Sequence, residues 1–170
     1  MRRRLLAAGL LGLGGLAGSL VGCGFQLRRS AALPFRTLHA GFAPTSTIGA
    51  QFRTFVRMAD GTELVDDPAL AEARLEVLGE QRERDVVAFS STGRAREYQL
   101  RLRFAFRVVD RNWQELLPRT ELVLARDMTS SDIEIVSKQQ EEELLFRDME
   151  SDLVQQLLRR LSAIPRRPAS

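Results

Sequence analysis

Two stretches of this chain alternate between apolar and polar residues, with Ala105 the one exception. Ala71, Ala73, Leu75 and Val77 are separated by Glu72, Arg74 and Glu76. Further on, Tyr98, Leu100, Leu102, Phe104, Phe106 and Val108 are separated by Gln99, Arg101, Arg103, Ala105 and Arg107. A period of two sends every apolar side chain to one face of a strand, so both stretches predict half-buried strands. The phase slips at Leu78-Gly79, where a bulge is expected. Ser90-Ser91-Thr92-Gly93 supplies a hairpin tip. Asp110-Arg111-Asn112 turns the chain into a return strand over about Glu115 to Arg126, with Pro118 near its start.

Helical spacing appears twice. Ile48, Phe52, Phe55 and Val56 follow Thr45-Ser46-Thr47, which offers a cap for the first helix. Asp60-Gly61 should end that helix, with glycine closing it. A longer helix is predicted from Ser131 to Ile164, opened by a capping box of Ser131 and Glu134 and stopped by Pro165. Its core stripe is Leu145, Met149, Leu153, Leu157 and Leu161, joined by Val154 and Leu158. Shorter strand candidates are Gly24 to Arg28, Phe35 to Phe42 and Thr62 to Val65, with a turn at Asp66-Asp67-Pro68. Long antiparallel strands need one face covered, and two amphipathic helices are available. The expected fold class is α+β: a two-layer sandwich, with a mostly antiparallel sheet of about four or more strands covered by two helices.

The first residues follow neither period. Arg2, Arg3 and Arg4 precede an apolar run rich in Leu, Gly and Ala, which ends at Leu20-Val21-Gly22-Cys23. A charged start, a short apolar run and a small-residue cleavage site predict a secretory signal over residues 1–22. The run is too short and too glycine-rich for a comfortable membrane span. Leu-Val-Gly-Cys resembles the lipobox of bacterial lipoproteins, in which the cysteine is acylated and becomes the new N-terminus. One acyl chain holds a protein only marginally on a membrane, at about 0.8 kcal/mol per buried methylene, so a stable anchor takes more than one. Gly24 follows the cysteine, and by the common sorting rule for such lipoproteins a residue other than Asp there implies export to the outer membrane.

This boundary changes the meaning of the charge. The chain of 170 residues carries 25 Lys and Arg against 22 Asp and Glu. Three arginines and no acid fall in residues 1–22, so 25 less 3 leaves 22 basic residues against 22 acidic ones. The remaining 148 residues (170 less 22) are net neutral and suit one domain, residues 23–164, with a loose basic tail over 165–170. Basicity is no argument for a nucleic-acid partner. Cys23 is the single cysteine, so the chain has no internal disulfide.

Chemistry-bearing motifs are scarce. Gly12, Gly14 and Ala17 fit a dinucleotide-binding pattern but lie in the signal run with no strand before them. His39 stands alone in an apolar stretch, whereas a metal site wants several ligands at fixed spacing. No nucleophile elbow is present. The residues predict no enzyme, no metal and no cofactor.

Three features together resemble the LPS-assembly lipoprotein family LptE. They are Gly22-Cys23-Gly24-Phe25-Gln26-Leu27-Arg28, then Glu97-Tyr98-Gln99 opening the long strand after a glycine-containing hairpin, and Leu157-Leu158-Arg159-Arg160-Leu161-Ser162-Ala163-Ile164 closing the last helix. Their order and spacing span nearly all of the chain after Cys23. The resemblance implies an outer-membrane lipoprotein that plugs the lumen of an LptD-like β-barrel, binds lipopolysaccharide and helps deliver it to the cell surface. It implies lipidation at Cys23 and no catalysis. Of two basic positions used for lipid in the family, one falls on Lys138. The other falls on Ser91, which is not basic, and Arg94 and Arg96 are the nearest cations to take its part. Guanidinium and ammonium groups suit phosphate oxygens. Arg101, Arg103 and Arg107 share the polar face of one strand and are expected to pair with Glu72, Glu76 and Glu121 rather than with ligand. Lys138 has a helical partner in Glu142. The alternative from another class is a free-standing outer-membrane lipoprotein with a structural or soluble-ligand-binding role.

Overall fold

The computed structural model describes residues 32–59, 61–129 and 135–166. The expected strand over Gly24 to Arg28, the capping box of Ser131 and Glu134, and Cys23 itself lie outside them. The chain builds β1 (Thr37–Gly41), α1 (Thr47–Met58), β2 (Glu63–Leu64), β3 (Ala73–Phe89), β4 (Ala95–Asp110), β5 (Glu115–Thr129) and α2 (Ile135–Ser162), with a short 3-10 turn at Pro68–Leu70. One five-stranded sheet has the order β2-β1-β3-β4-β5, and both helices lie on one of its faces, as the α+β expectation required.

The long hairpin dominates. β3 and β4 pair antiparallel from Ala73↔Asp110 to Phe89↔Ala95, and β5 returns along β4 from Val109↔Glu115 to Glu97↔Thr129. The register shifts between Val77 and Gly79, at the expected bulge. The extra residue exchanges the faces of β3: Ala73 and Leu75 face the helices before it, and Arg82 and Arg84 do so after it.

The other end of the sheet differs from the alternation-based reading. β1 runs parallel to both β2 and β3, because α1 carries the chain back across the helix face before β2 begins. β1 is shorter than the stretch from Phe35 to Phe42, and β5 continues three residues past Arg126. The Asp66-Asp67-Pro68 turn opens the 3-10 turn, capped by the Asp67 carboxylate accepting from Ala69 N at 2.8 Å.

Ser46 caps α1, its hydroxyl accepting from Gly49 N at 2.9 Å. The expected glycine stop is not what ends this helix. Ala59 leaves it in an extended conformation, and Gly61 turns two residues later at φ 103°. Ile48, Phe52 and Val56 are buried, and Phe52 meets Phe42, which stacks on Phe104 with centroids 5.8 Å apart. From α2, Met149, Leu153, Val154, Leu157 and Leu161 are fully buried. Leu145 is only partly buried, and Phe146 occupies the core instead. The buried face of α2 has the centre that the leucine spacing suggested: Phe146 falls in the middle of the stripe, and Leu145 and Leu158 lie at its two flanks.

Candidate functional site

At the hairpin tip, Ser90 N donates to Arg94 O at 2.7 Å and Arg94 N donates to Ser90 Oγ at 3.1 Å. Gly93 adopts φ 78°, a conformation that a side chain resists. Ser91, Arg94 and Arg96 are all exposed. Arg96 shares the phase of Tyr98 and so belongs to the face covered by α2.

Lys138 approaches from the helix. Its ammonium donates to Glu141 at 2.7 Å and reaches Thr129 Oγ1 at 3.5 Å. Thr129 pairs with Glu97, the residue after Arg96. Lys138 and Arg96 therefore come to the same end of the sheet, with Arg94 nearer the tip. The expected helical pair between Lys138 and Glu142 does not form. Glu142 is taken by Arg84 at 3.0 Å, and Glu141, one residue earlier, serves Lys138.

A second set of contacts holds this end against α2, and the alternation gave no sign of it. Arg84 lies over the Tyr98 ring at 3.8 Å. Arg82 bonds Glu150 at 2.5 Å and Glu143 at 3.3 Å, and lies over Phe146 at 4.9 Å. Glu150 is 1% exposed and also accepts from Thr47 Oγ1 at 2.8 Å, so one carboxylate joins both helices to β3. Burial acts to lower the Arg82 pKa, but the hydrogen bonds and charges of Glu150 and Glu143 raise it overall. The stretch Glu80 to Arg84 is wholly polar, so only the bulge determines which residues face the helices.

The uncovered face is lined with cross-strand ion pairs: Arg101 with Asp85, Arg103 with Glu83 and Glu121, and Arg107 with Glu76. The hydrogen bonds that Arg103 donates to Glu83 and Glu121, with the charges of those carboxylates, raise its pKa. These arginines are committed to neighbours as expected, except that Glu72 accepts from Arg36 N instead. His39 hydrogen-bonds the Val65 carbonyl at 3.1 Å. Among the described residues no group of three metal-ligating side chains occurs, and no helix is long and apolar enough to cross a membrane.

The described residues form a one-sided α+β sandwich whose long hairpin is braced against the last helix by ion pairs. Comparison with known proteins is specific. The model of the lipopolysaccharide-assembly family LptE matches residues 35–161, and the chain belongs to that family, which is one of assembly proteins and not a known enzyme family. It is similar to the LPS-assembly lipoprotein LptE of Yersinia enterocolitica, at 29% identity over 96% of this chain and 78% of that protein. The protein of the same name from Pectobacterium atrosepticum is also 29% identical, over 96% and 88%. Among solved structures, an uncharacterised lipoprotein B from Nitrosomonas europaea is 34% identical with a TM-score of 0.70, covering 82% of this chain and 91% of that one. Rare lipoprotein B from Shewanella oneidensis shares the fold at 20% identity and a TM-score of 0.65, over 75% and 94% of the two chains.

Proposed function

We propose that this protein is an outer-membrane lipoprotein, anchored through acylated Cys23, that occupies and supports the lumen of an LptD-like β-barrel and binds lipopolysaccharide on its way to the cell surface. The family match over residues 35–161 carries this reading. The uncovered sheet face supports it physically. Barrel lumens are polar, and this face presents paired charges where a second helix layer or a lipid would require apolar side chains.

Lys138, Arg94 and Arg96 are the proposed phosphate contacts. Lys138 and Arg96 converge from different elements on one end of the sheet, which suits a ligand bearing several phosphates. Lys138 is held by Glu141, so a phosphate there has to displace or share that carboxylate.

Two experiments test the reading. Affinity capture from solubilised outer membranes should recover a large β-barrel with the chain. Recovery of the chain alone would return the free-standing lipoprotein alternative. Lipopolysaccharide binding should weaken and lose salt sensitivity in Lys138→Asp combined with Arg94→Asp and Arg96→Asp, once circular dichroism shows each variant folded. Unchanged affinity of the combined variant would remove these residues from the site and leave the barrel role standing.

A further inference from the structure

Three large apolar side chains are exposed at the end of the molecule opposite the hairpin tip: Met58 at 79%, Leu70 at 63% and Trp113 at 62%. They come from three separate segments, and the register brings those segments together. Thr37 pairs with Glu63, Leu38 with Ala73, Ala73 with Asp110, and Val109 with Glu115. The start of β1, the end of α1, the 3-10 turn and the β4–β5 turn therefore share one end. Arg74 links two of the three segments, donating from Nε to Pro68 O at 2.9 Å while its guanidinium lies 4.5 Å from the Trp113 ring centroid.

Trp113 is held outward at a conformational cost. Its φ of 63° is left-handed, which costs a side-chain-bearing residue about 1–2 kcal/mol. Asp110 fixes that turn. Its carboxylate accepts from Asn112 N at 2.8 Å and Gln114 N at 2.9 Å, and its carbonyl accepts from Trp113 N at 3.1 Å. A turn so firmly fixed, presenting an indole to solvent, is suited to a surface with one apolar and one wet side.

This is also the end at which the chain enters. Cys23 precedes Ala32, the first described residue, by nine positions. Nine residues span at most about 30 Å when fully extended, so an anchor at Cys23 keeps this end, not the hairpin tip, near the bilayer. Charge does not drive the contact, because Arg36, Arg57, Arg74 and Arg111 are outnumbered here by Glu63, Asp66, Asp67, Glu72, Asp110 and Glu115, and the attraction has to come from the apolar side chains.

We propose that Met58, Leu70 and Trp113 form a docking surface for the headgroup–acyl boundary of the phospholipid leaflet that holds the lipid anchor. The proposal rests on lipidation of Cys23. Docking fixes the tilt of the domain on the membrane, which acyl chains on a linker cannot do.

Trp113 is the single tryptophan and Cys23 the single cysteine of the chain, so both can be used without altering the protein. The chain from Cys23 onward is coupled through that thiol to a maleimide-bearing phospholipid in vesicles of phosphatidylethanolamine and phosphatidylcholine. Trp113 emission should shift to shorter wavelength relative to the free chain, be quenched by brominated lipid and be shielded from aqueous iodide, with little dependence on salt. Met58→Ser with Leu70→Ser should reverse most of the shift while circular dichroism stays unchanged. Emission of the tethered chain that equals that of the free chain, and that brominated lipid does not quench, would overturn the docking surface. A shift that appears only when the barrel is co-reconstituted would overturn it too, by assigning this end to a protein. The intact mass of the protein extracted from cells checks acylation separately, so failure of the anchor and failure of the surface are distinguishable.

Discussion

Removing Arg82 should cost more than removing Arg82 and Glu150 together. Glu150 is 1% exposed, while the Arg82 side chain keeps 36% of its surface. With Arg82→Met, the carboxylate stays buried and retains only the Thr47 hydroxyl as a close donor. A lost charge-assisted hydrogen bond is worth about 1.5–3 kcal/mol, and breaking a fully buried pair about 3–5 kcal/mol. Arg82 is partly solvated and water can follow its path inward, which favours the lower range, about 2 kcal/mol. Methionine keeps an apolar contact with Phe146, so the loss reports charge more than packing. In Arg82→Met with Glu150→Leu no buried charge remains, although Thr47 loses its acceptor, and the double variant should lie within about 1 kcal/mol of the parent. The assay is urea denaturation of the parent, both single variants and the double variant, read as a double-mutant cycle. A coupling below about 0.5 kcal/mol would show that the pair does not act as a unit, and that packing alone holds α2 to the hairpin. The guanidinium pKa is raised in the fold, so its share of the stability is fully present below its unfolded-state value and is lost only as pH rises through the folded one. The coupling should therefore persist unchanged up to moderately alkaline pH.

Leu153, fully buried in the α2 stripe, should cost about 2–5 kcal/mol as Leu153→Ala, and a melting temperature within a degree of the parent would refute its core position. Gly49→Ala should destabilise by about 1–3 kcal/mol in a denaturation experiment, although alanine normally favours a helix, because the new Cβ would sit 2.6 Å from Phe42 Cβ. Arg103→Gln should leave the melting temperature unchanged, since its ion pairs lie on the solvated face. Cys23→Ala should release the protein from membranes in cells lacking the barrel partner, as read by fractionation; quantitative retention would refute the anchor.

How far the sequence could be read depended on how many residues repeat a signal. The β4 strand announces itself through six alternating apolar positions and appears in register from Ala95 to Asp110. The bulge was legible from the break in phase at Leu78-Gly79, and the helix cap from Thr45-Ser46-Thr47, of which the structure uses Ser46. The parallel pairing of β1 was not legible, because Leu38 and Ala40 present the same alternation to a parallel or an antiparallel neighbour. The bracing of the hairpin against α2 was hidden for a related reason. Arg82 and Arg84 sit in a run without apolar residues, and only the face exchange at the bulge brings them over Phe146 and Tyr98. Lys138 was singled out by family resemblance and not by local pattern. Its helix carries many charges, and proximity to Thr129 emerges only from the return of α2 along the sheet.

The same return gives the molecule a direction. Lys138 stands level with Glu97, Glu142 with Arg84, and Glu150 with Arg82, so α2 runs from the hairpin end toward the end where the chain enters. β4 has 16 residues, and at about 3.3 Å each it spans roughly 50 Å. A bilayer with its headgroups is about 40–45 Å thick. If the entry end is held at the periplasmic boundary by an anchor and by Trp113, an upright domain in the barrel lumen has enough length to carry Arg94 and Arg96 to the opposite boundary. The length of the hairpin then has a function that its stability alone does not require. The far half of β3, from Glu80 to Phe89, buries little: Val86, Val87 and Phe89 remain substantially exposed. Folding energy does not account for this extension; reach along a barrel lumen is what the proposed function would require of it. The ion pairs on α2 keep the extension from drifting, because they tie it to the helix that carries Lys138.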